Sequence, residues 1–258
     1  MKMVDINCDM GESFGRYKLG LDEKAIQYIT SANIACGFHA GDPHVMSNTV
    51  KLAKDYNVGV GAHPGYPDLL GFGRRKMDVD PVEIKDYIIY QIGALKAFCD
   101  AQGIRLQHVK PHGALYNAAG VDKSLSIAIA EAIYEVDKKL ILLALAGSEM
   151  EKAGKEVGLM TACEVFGDRN YNSDGSLVSR KLPNAIVKDE KEVAKRVVRM
   201  IKEGKVTAVD GKDIEVHADS ICVHGDTLGA VEFIQSIRKE LENAGVKVTS
   251  LGEIFYGC

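Results

Sequence analysis

No apolar run in this chain is long enough to cross a bilayer; the strongest, Leu140 to Ala146, falls well short of the ~20 residues a spanning helix needs. The first residues, Met1-Lys2-Met3-Val4-Asp5, place an acid where a secretory signal carries its apolar stretch, so the expected location is cytoplasmic. Positive charge is not in excess. A net charge of -4 and a pI near 6.0 leave no basic field to attract nucleic acid or an anionic membrane. The six cysteines (Cys8, Cys36, Cys99, Cys163, Cys222 and Cys258) contain no CxxC pair. Free thiols in a reducing compartment, mostly acting as small core residues, are expected over a disulfide framework or a zinc ribbon. Also missing are a GxxxxGK[ST] loop, a GxGxxG turn opening a helix after a strand, a GxSxG elbow and an HExxH helix. The common nucleotide-binding, serine-hydrolase and zincin readings therefore have no support. There is no internal repeat, linker or low-complexity tract.

What is present describes an ordinary globular domain. A length of 258 residues with 46% apolar and 26% charged side chains suits one α/β barrel with a sizeable core, a single domain spanning 1–258. Strand-like runs near 3–8, 32–36, 58–62, 106–110, 140–145, 159–164 and 220–224 alternate with helical patterns near 22–30, 44–56, 81–101, 122–138, 148–157, 189–203 and 227–244. Such alternation predicts βαβ units and a parallel sheet. The clearest helix carries Ile84, Ile88, Ile92, Leu95 and Cys99 at helical spacing after the start signal Asp80-Pro81. The stretch from Phe166 to Lys188 has no sustained period and reads as a long loop over a binding surface. Asp210-Gly211 between two alternating runs predicts a small hairpin, and Val246 to Thr249 reads as an eighth strand or a closing edge.

Five of the seven histidines, His39, His63, His108, His112 and His224, end strand-like runs or follow them in glycine-rich segments. In a parallel barrel those positions gather at one rim, where α/β enzymes keep their chemistry. Because residues two apart share a face of a strand, Asp5, Asn7 and Asp9 lie on one side of the first run and Val4, Ile6 and Cys8 on the other. The same period groups Asn33 with His39, Gly59 and Gly61 with His63, and His108 with Lys110 and His112. Glu164 ends the sixth run, and His224 and Asp226 the seventh. Asp9 and Glu12 flank Gly11 at a strand exit, a good place for chemistry, whereas Asp5 and Asn7 suit a buttressing role equally well. His44 fits a helix-opening position and Asp68 a turn. A lysine at the end of a buried strand needs an acid or a substrate charge beside it, so Lys110 should have such a partner. Arg74, Arg75 and Arg169 sit in loops, where a guanidinium can grip a carboxylate in bidentate fashion.

With these loops identified, the chain resembles the LamB/YcsF family. The likeness rests on Asp5-Ile6-Asn7-Cys8-Asp9-Met10-Gly11-Glu12, on the segment from Ser31 through Cys36-Gly37-Phe38-His39 to Pro43, and on Gly61-Ala62-His63-Pro64-Gly65-Tyr66-Pro67-Asp68. It continues through Val109-Lys110-Pro111-His112-Gly113-Ala114-Leu115-Tyr116, Glu164-Val165-Phe166-Gly167-Asp168-Arg169 and Cys222-Val223-His224-Gly225-Asp226. The resemblance implies a distorted seven-stranded β/α barrel similar to the glycoside hydrolase/deacetylase superfamily. It also implies a cyclic-amide hydrolase that opens 5-oxo-L-proline to L-glutamate with ATP as co-substrate, working with PxpB- and PxpC-like partner proteins. On that basis Asp9, Glu12, Lys110 and His112 are the expected catalytic residues, and Asn7, Asn33, Arg75, Glu164, Arg169 and His224 the expected substrate contacts. Deacetylases of the related superfamily hold a divalent metal on one Asp and two His, which suggests Asp9, His39 and His63 here. Two rival expectations are a metal-dependent deacetylase or amidase acting alone and a non-catalytic lactam- or sugar-binding component.

Overall fold

The computed structural model describes residues 1–223 and 230–257. Its first half runs β1 (Met3–Met10), α1 (Asp22–Ala25), β2 (Ser31–Ala35), α2 (Pro43–Asp55), β3 (Gly59–His63), α3 (Pro81–Ala101), β4 (Leu106–Val109), α4 (Gly113–Ala119) and α5 (Lys123–Asp137). The second half continues with β5 (Ile141–Leu145), α6 (Glu149–Val157), β6 (Met160–Phe166), α7 (Glu190–Glu203), β7 (Lys205–Thr207), β8 (Asp213–Glu215), β9 (Ser220–Cys222), α8 (Ala230–Asn243), β10 (Lys247–Val248) and α9 (Leu251–Tyr256). Strands β1 to β6 and β9 pair in parallel, and β9 returns to β1, so seven strands close into a barrel. The helices start where the sequence supplies caps: Asp42, Asp80, Asp122, Ser148 and Asp189 each accept backbone N–H groups of the first turn.

Strand β10 is a closing edge, not an eighth stave. Thr249 N–H donates to the Val4 carbonyl and Thr30 N–H to the Ile6 carbonyl, so β10 continues below β2 along the same edge of β1. The hairpin around Asp210-Gly211 is present as antiparallel β7 and β8. Two helices have no counterpart in the sequence pattern, α4 and α9, with 7 and 6 residues; helices this short show too little periodicity to register. The loop after β6 is ordered by its own buried side chains. Tyr171 lies 1% exposed and its hydroxyl accepts the Phe166 N–H, while Asn170 pairs with Ala185 across the loop.

The main apolar core lies between barrel and helices, where Val4, Ile6, Cys8 and Met10 alternate outward with Asp5, Asn7 and Asp9 inward. A second, smaller apolar cluster of Ile141, Leu143, Ala162 and Leu251 is formed by β5, β6 and α9. Gly252 N–H donates to Gln107 Oε1 at 2.8 Å, so α9 plugs the end of the barrel where the strands begin. Strand β4 contains a bulge: Val60 pairs with Leu106 but Gly61 with His108. The extra residue turns both Gln107 and His108 toward β3. Glycines 59 and 61 make room for them, since a Cβ on Gly61 would sit 2.0 Å from His108 Nε2 and one on Gly59 2.6 Å from Gln107. Among the described residues no helix is long and apolar enough to cross a membrane.

Candidate active site

The barrel interior is built in polar layers that rise toward the strand ends. At the base, Asp5 accepts hydrogen bonds from Thr30 and Ser31, both at 2.7 Å, and from Ser220. Burial raises its pKa to about 6 despite those three donors. One layer up, Gln107 Nε2 donates to His108 Nδ1 at 3.0 Å, which leaves His108 Nε2–H to donate to Asn33 Oδ1 at 2.7 Å. Burial, helped by Lys110, lowers His108 to about 3 and keeps it neutral. Asn33 Nδ2 in turn reaches Asn7 Oδ1 at 2.7 Å and Asp9 Oδ1 at 2.8 Å. Asn7 Nδ2 donates to Glu164 Oε1 at 2.9 Å, and the Tyr116 hydroxyl donates to Glu164 Oε2 at 2.6 Å.

Lys110 ties these layers to the mouth. Its Nζ lies 2.8 Å from Glu164 Oε1, 3.1 Å from Asp9 Oδ1, and 3.1 Å from both Asn7 Oδ1 and Cys222 Sγ. Burial works against the ammonium, but Asp9, Cys222 and Glu164 outweigh it and hold the pKa well above the usual lysine value. The expectation that a buried lysine here needs an acid is met twice over.

Above Lys110 the histidines meet. His39 and His112 stack at 3.6 Å with rings 1° from parallel, and His63 abuts both edge-on. His63 Nδ1 lies 2.7 Å from the Lys110 carbonyl and His112 Nε2 lies 2.9 Å from the Phe72 carbonyl. A carbonyl only accepts, so each of those nitrogens carries the proton. The other two nitrogens, His63 Nε2 and His112 Nδ1, then face each other as lone pairs at 2.9 Å. Such a contact calls for a cation or a shared proton between them. Glu12 Oε1 lies 3.8 Å from His112 Nδ1 and 3.4 Å from His39 Nε2, and Asp9 Oδ2 lies 3.3 Å from His63 Nε2. Burial, followed by the neighbouring imidazoles, pushes His39 well below the ordinary histidine value, and burial lowers His112 to about 3. His39 Nδ1 is buried with no hydrogen-bond partner among the described residues.

The donor set fits a divalent metal: Glu12, His39, His63 and His112 each offer one atom, all within 4.8 Å of one another. Relative to the triad suggested by the family likeness, the structure groups His39 and His63 with Glu12 and His112, while Asp9 borders the group and shares its oxygens with Lys110 and Asn33. The arrangement is braced from above by the Phe72-Gly73 turn, where both residues have positive φ, 54° and 61°. A Cβ at Gly73 would lie 2.7 Å from His39 Cβ and 2.8 Å from His112 Cδ2, so only glycine lets this turn press on the two rings.

A cavity of 610 Å³ opens over this cluster, lined by Asp9, Glu12, His63, Lys110 and His112 from the barrel and by Arg74, Arg169 and Arg180 from loops. Asn7, Asn33 and Glu164 sit in the layer beneath it, linked by the hydrogen bonds above. Arg169 is buried at its wall and donates Nη2–H to the Val178 carbonyl at 2.6 Å. Arg75 is placed elsewhere: its side chain is 66% exposed, paired with Asp68 beside a separate shallow depression near Phe38 and Leu70. His224 and Asp226 lie outside the described residues. Residues that sequence reasoning passed over are Tyr116, Gln107 and Phe72-Gly73. Tyr116 had a local signal, standing four residues after His112, whereas the bulge that inverts Gln107 had none.

Fold and site together define a β/α barrel with an ionised, hydrogen-bonded interior and an enzyme-like mouth at the strand ends. The chain belongs to the LamB/YcsF family, whose model matches residues 4–255. It is 60% identical over 255 residues to a 5-oxoprolinase subunit of Clostridium beijerinckii, covering 99% of this chain and 100% of that one. With the Bacillus subtilis protein of the same name it shares 55% identity over 253 residues, 98% of each chain. The crystal structure of a lactam utilization protein from Thermus thermophilus superposes with a TM-score of 0.92 at 45% identity, covering 97% of this chain and 100% of that chain. A putative cellobiose-phosphate cleavage protein from Enterococcus faecalis shares the fold alone, with a TM-score of 0.58 and 14% identity over 98% of each chain.

Proposed function

We propose that this chain is the lactam-binding and ring-opening component of an ATP-dependent 5-oxoprolinase, working in the cytoplasm with PxpB- and PxpC-like partners. Relatives at 55% to 60% identity along their whole length are named as subunits of 5-oxoprolinase, which supports the substrate and the need for partners. The observation that carries the reading is the cavity floor, where Asp9, Lys110 and the His63–His112 pair converge beneath loop arginines. A lactam is a resonance-stabilised amide with a carboxylate on the ring, and water alone does not open it at a useful rate. Phosphorylation of its carbonyl oxygen by ATP, with the partners' help, makes the ring carbon electrophilic. Water then adds at that carbon, the ring C–N bond breaks as nitrogen takes a proton, and a further water releases phosphate and glutamate.

The residues suit these demands. Asp9, Glu12 or His112, which line the cavity, suit the role of taking a proton from water. The Lys110 ammonium, fixed between Asp9 and Glu164, suits the stabilisation of negative charge developing on a heteroatom bonded to the reacting carbon. Arg169 and Arg74, on the cavity wall, suit the substrate carboxylate. A divalent metal on Glu12, His39, His63 and His112, with Asp9 adjacent, would lower the pKa of water and polarise an oxygen.

The test is glutamate release from 5-oxoproline and ATP by the reconstituted complex, with this chain included, omitted, or carrying Lys110→Met. Release that requires the wild-type chain supports the reading; equal release without it overturns it. The histidine and Glu12 cluster favours a second reading, a stand-alone metal-dependent amidase or deacetylase. Hydrolysis of small amides by this chain alone, independent of ATP and abolished by chelation, would select that alternative.

A further inference from the structure

A second group of metal-ligand side chains lies on the outside of the barrel. The register Glu164↔Ser220 sets Cys163 of β6 level with Asp219, the residue before β9, at the end where that strand begins. Since Glu164 points into the barrel, alternation turns Cys163 outward, toward α6. There the sulfur of Cys163, an imidazole nitrogen of His217 and a carboxylate oxygen of Asp219 all lie within 4.8 Å of one another. Asp219 is oriented by two bonds: its Oδ2 accepts the Cys163 N–H at 2.8 Å and its Oδ1 faces His217 Nε2 at 3.0 Å. Glu151 of α6 lies beside the Cys163 thiol. The rest of this layer is filled by apolar groups such as Leu142, Val165 and Ile221, so packing alone does not call for a thiol among two carboxylates and an imidazole.

We propose that Cys163, His217 and Asp219, with Glu151 beside them, bind a soft divalent cation of the zinc class at a structural site distinct from the cavity. One thiolate, one imidazole and one carboxylate form a donor set that zinc prefers and that calcium or magnesium does not. Binding replaces the Cys163 S–H bond with a sulfur–metal bond, and the proton leaves to water; no electron changes hands. The occupied site ties the segment that follows β8 to β6, and residues at the starting end of barrel strands serve stability, not chemistry. His217 is 75% exposed on its side chain, so the ion has an entry path.

The proposal is tested on the full-length chain, stripped of metal and titrated with Co²⁺ as a coloured substitute for Zn²⁺. The cavity cluster of Glu12, His39, His63 and His112 contains no thiol, so a thiolate-to-cobalt charge-transfer band in the near ultraviolet reports the outer site alone. The band is expected in the wild type and in His39→Ala, weakened in His217→Ala and absent in Cys163→Ser. In the His39→Ala background, where the cavity cluster has lost a ligand, Zn²⁺ should also raise the melting temperature, and adding His217→Ala, which alters an exposed side chain, should remove most of that rise. A wild type without the band, a band that survives Cys163→Ser, or, in the His39→Ala background, an equal melting shift with and without His217→Ala would overturn the proposal.

Discussion

The two halves of the barrel interior meet on β6 yet obey opposite rules. Toward β5, the base of β6 and α9, Ile141, Leu143, Ala162 and Leu251 form a dry apolar plug. Toward β1, β2, β4 and β9, Asp5, Asn7, Asn33, His108, Lys110 and Glu164 are equally buried but stand in a continuous hydrogen-bonded ladder. Ala162 and Glu164 sit two residues apart on one strand and belong to different halves. The plug stabilises by removing apolar surface from water. The ladder gains little net stability from its ion pairs, because desolvation offsets their attraction, but it holds Lys110 and Asp9 in one arrangement.

The sharpest way to break that contrast is Lys110→Met. It strands the fully buried Glu164 without its cation, so a stability loss of about 3–5 kcal/mol is expected from urea unfolding. Turnover of the reconstituted complex, per folded chain, should also fall by roughly 10²–10³-fold; unchanged glutamate release would remove Lys110 from the chemistry. Leu143→Ala in the plug should cost about 2–5 kcal/mol through its cavity while turnover per folded chain stays at the wild-type level. A large kinetic defect there would mean the halves are not independent.

A pH series of unfolding midpoints sharpens the comparison further. Asp5 has a folded pKa of about 6 against 3.8, so its stabilising protonation is fully present below pH 3.8 and is lost as pH rises through 6. His108 runs the other way: lowered from 6.5 to about 3, it supports the fold above pH 6.5 and withdraws that support as pH falls toward 3. The two oppose each other between pH values of about 4 and 6. Asp5→Asn should therefore make the acid-side decline in stability steeper, by on the order of 3 kcal/mol across the Asp5 window. Identical slopes in wild type and variant would show that Asp5 does not titrate as its surroundings dictate. The smallest effect is expected from Arg75→Ala, which removes an exposed partner of Asp68 outside the cavity lining and should leave glutamate release unchanged. A marked rise in KM for 5-oxoproline would return Arg75 to the site.

Much of this was legible in the chain itself. Alternation along Val4 to Asp9 assigned the inner and outer faces of β1, glycine and proline punctuated the loops, and Asp-Pro pairs marked helix starts, because these signals are local and repeat with the period of the element. The gathering of Asp9, His39, His63, Lys110 and His112 at one rim also follows from strand order alone once a parallel barrel is inferred. Tertiary structure alone decided the rest. The bulge that turns Gln107 and His108 to the same side, the left-handed Phe72-Gly73 turn that clamps two imidazoles, the removal of Arg75 from the cavity and the meeting of Cys163 with His217 each depend on contacts between residues distant in the chain or on a single backbone irregularity. No periodicity encodes such events: a period reports which face a residue takes, and only the closed barrel determines what stands opposite it.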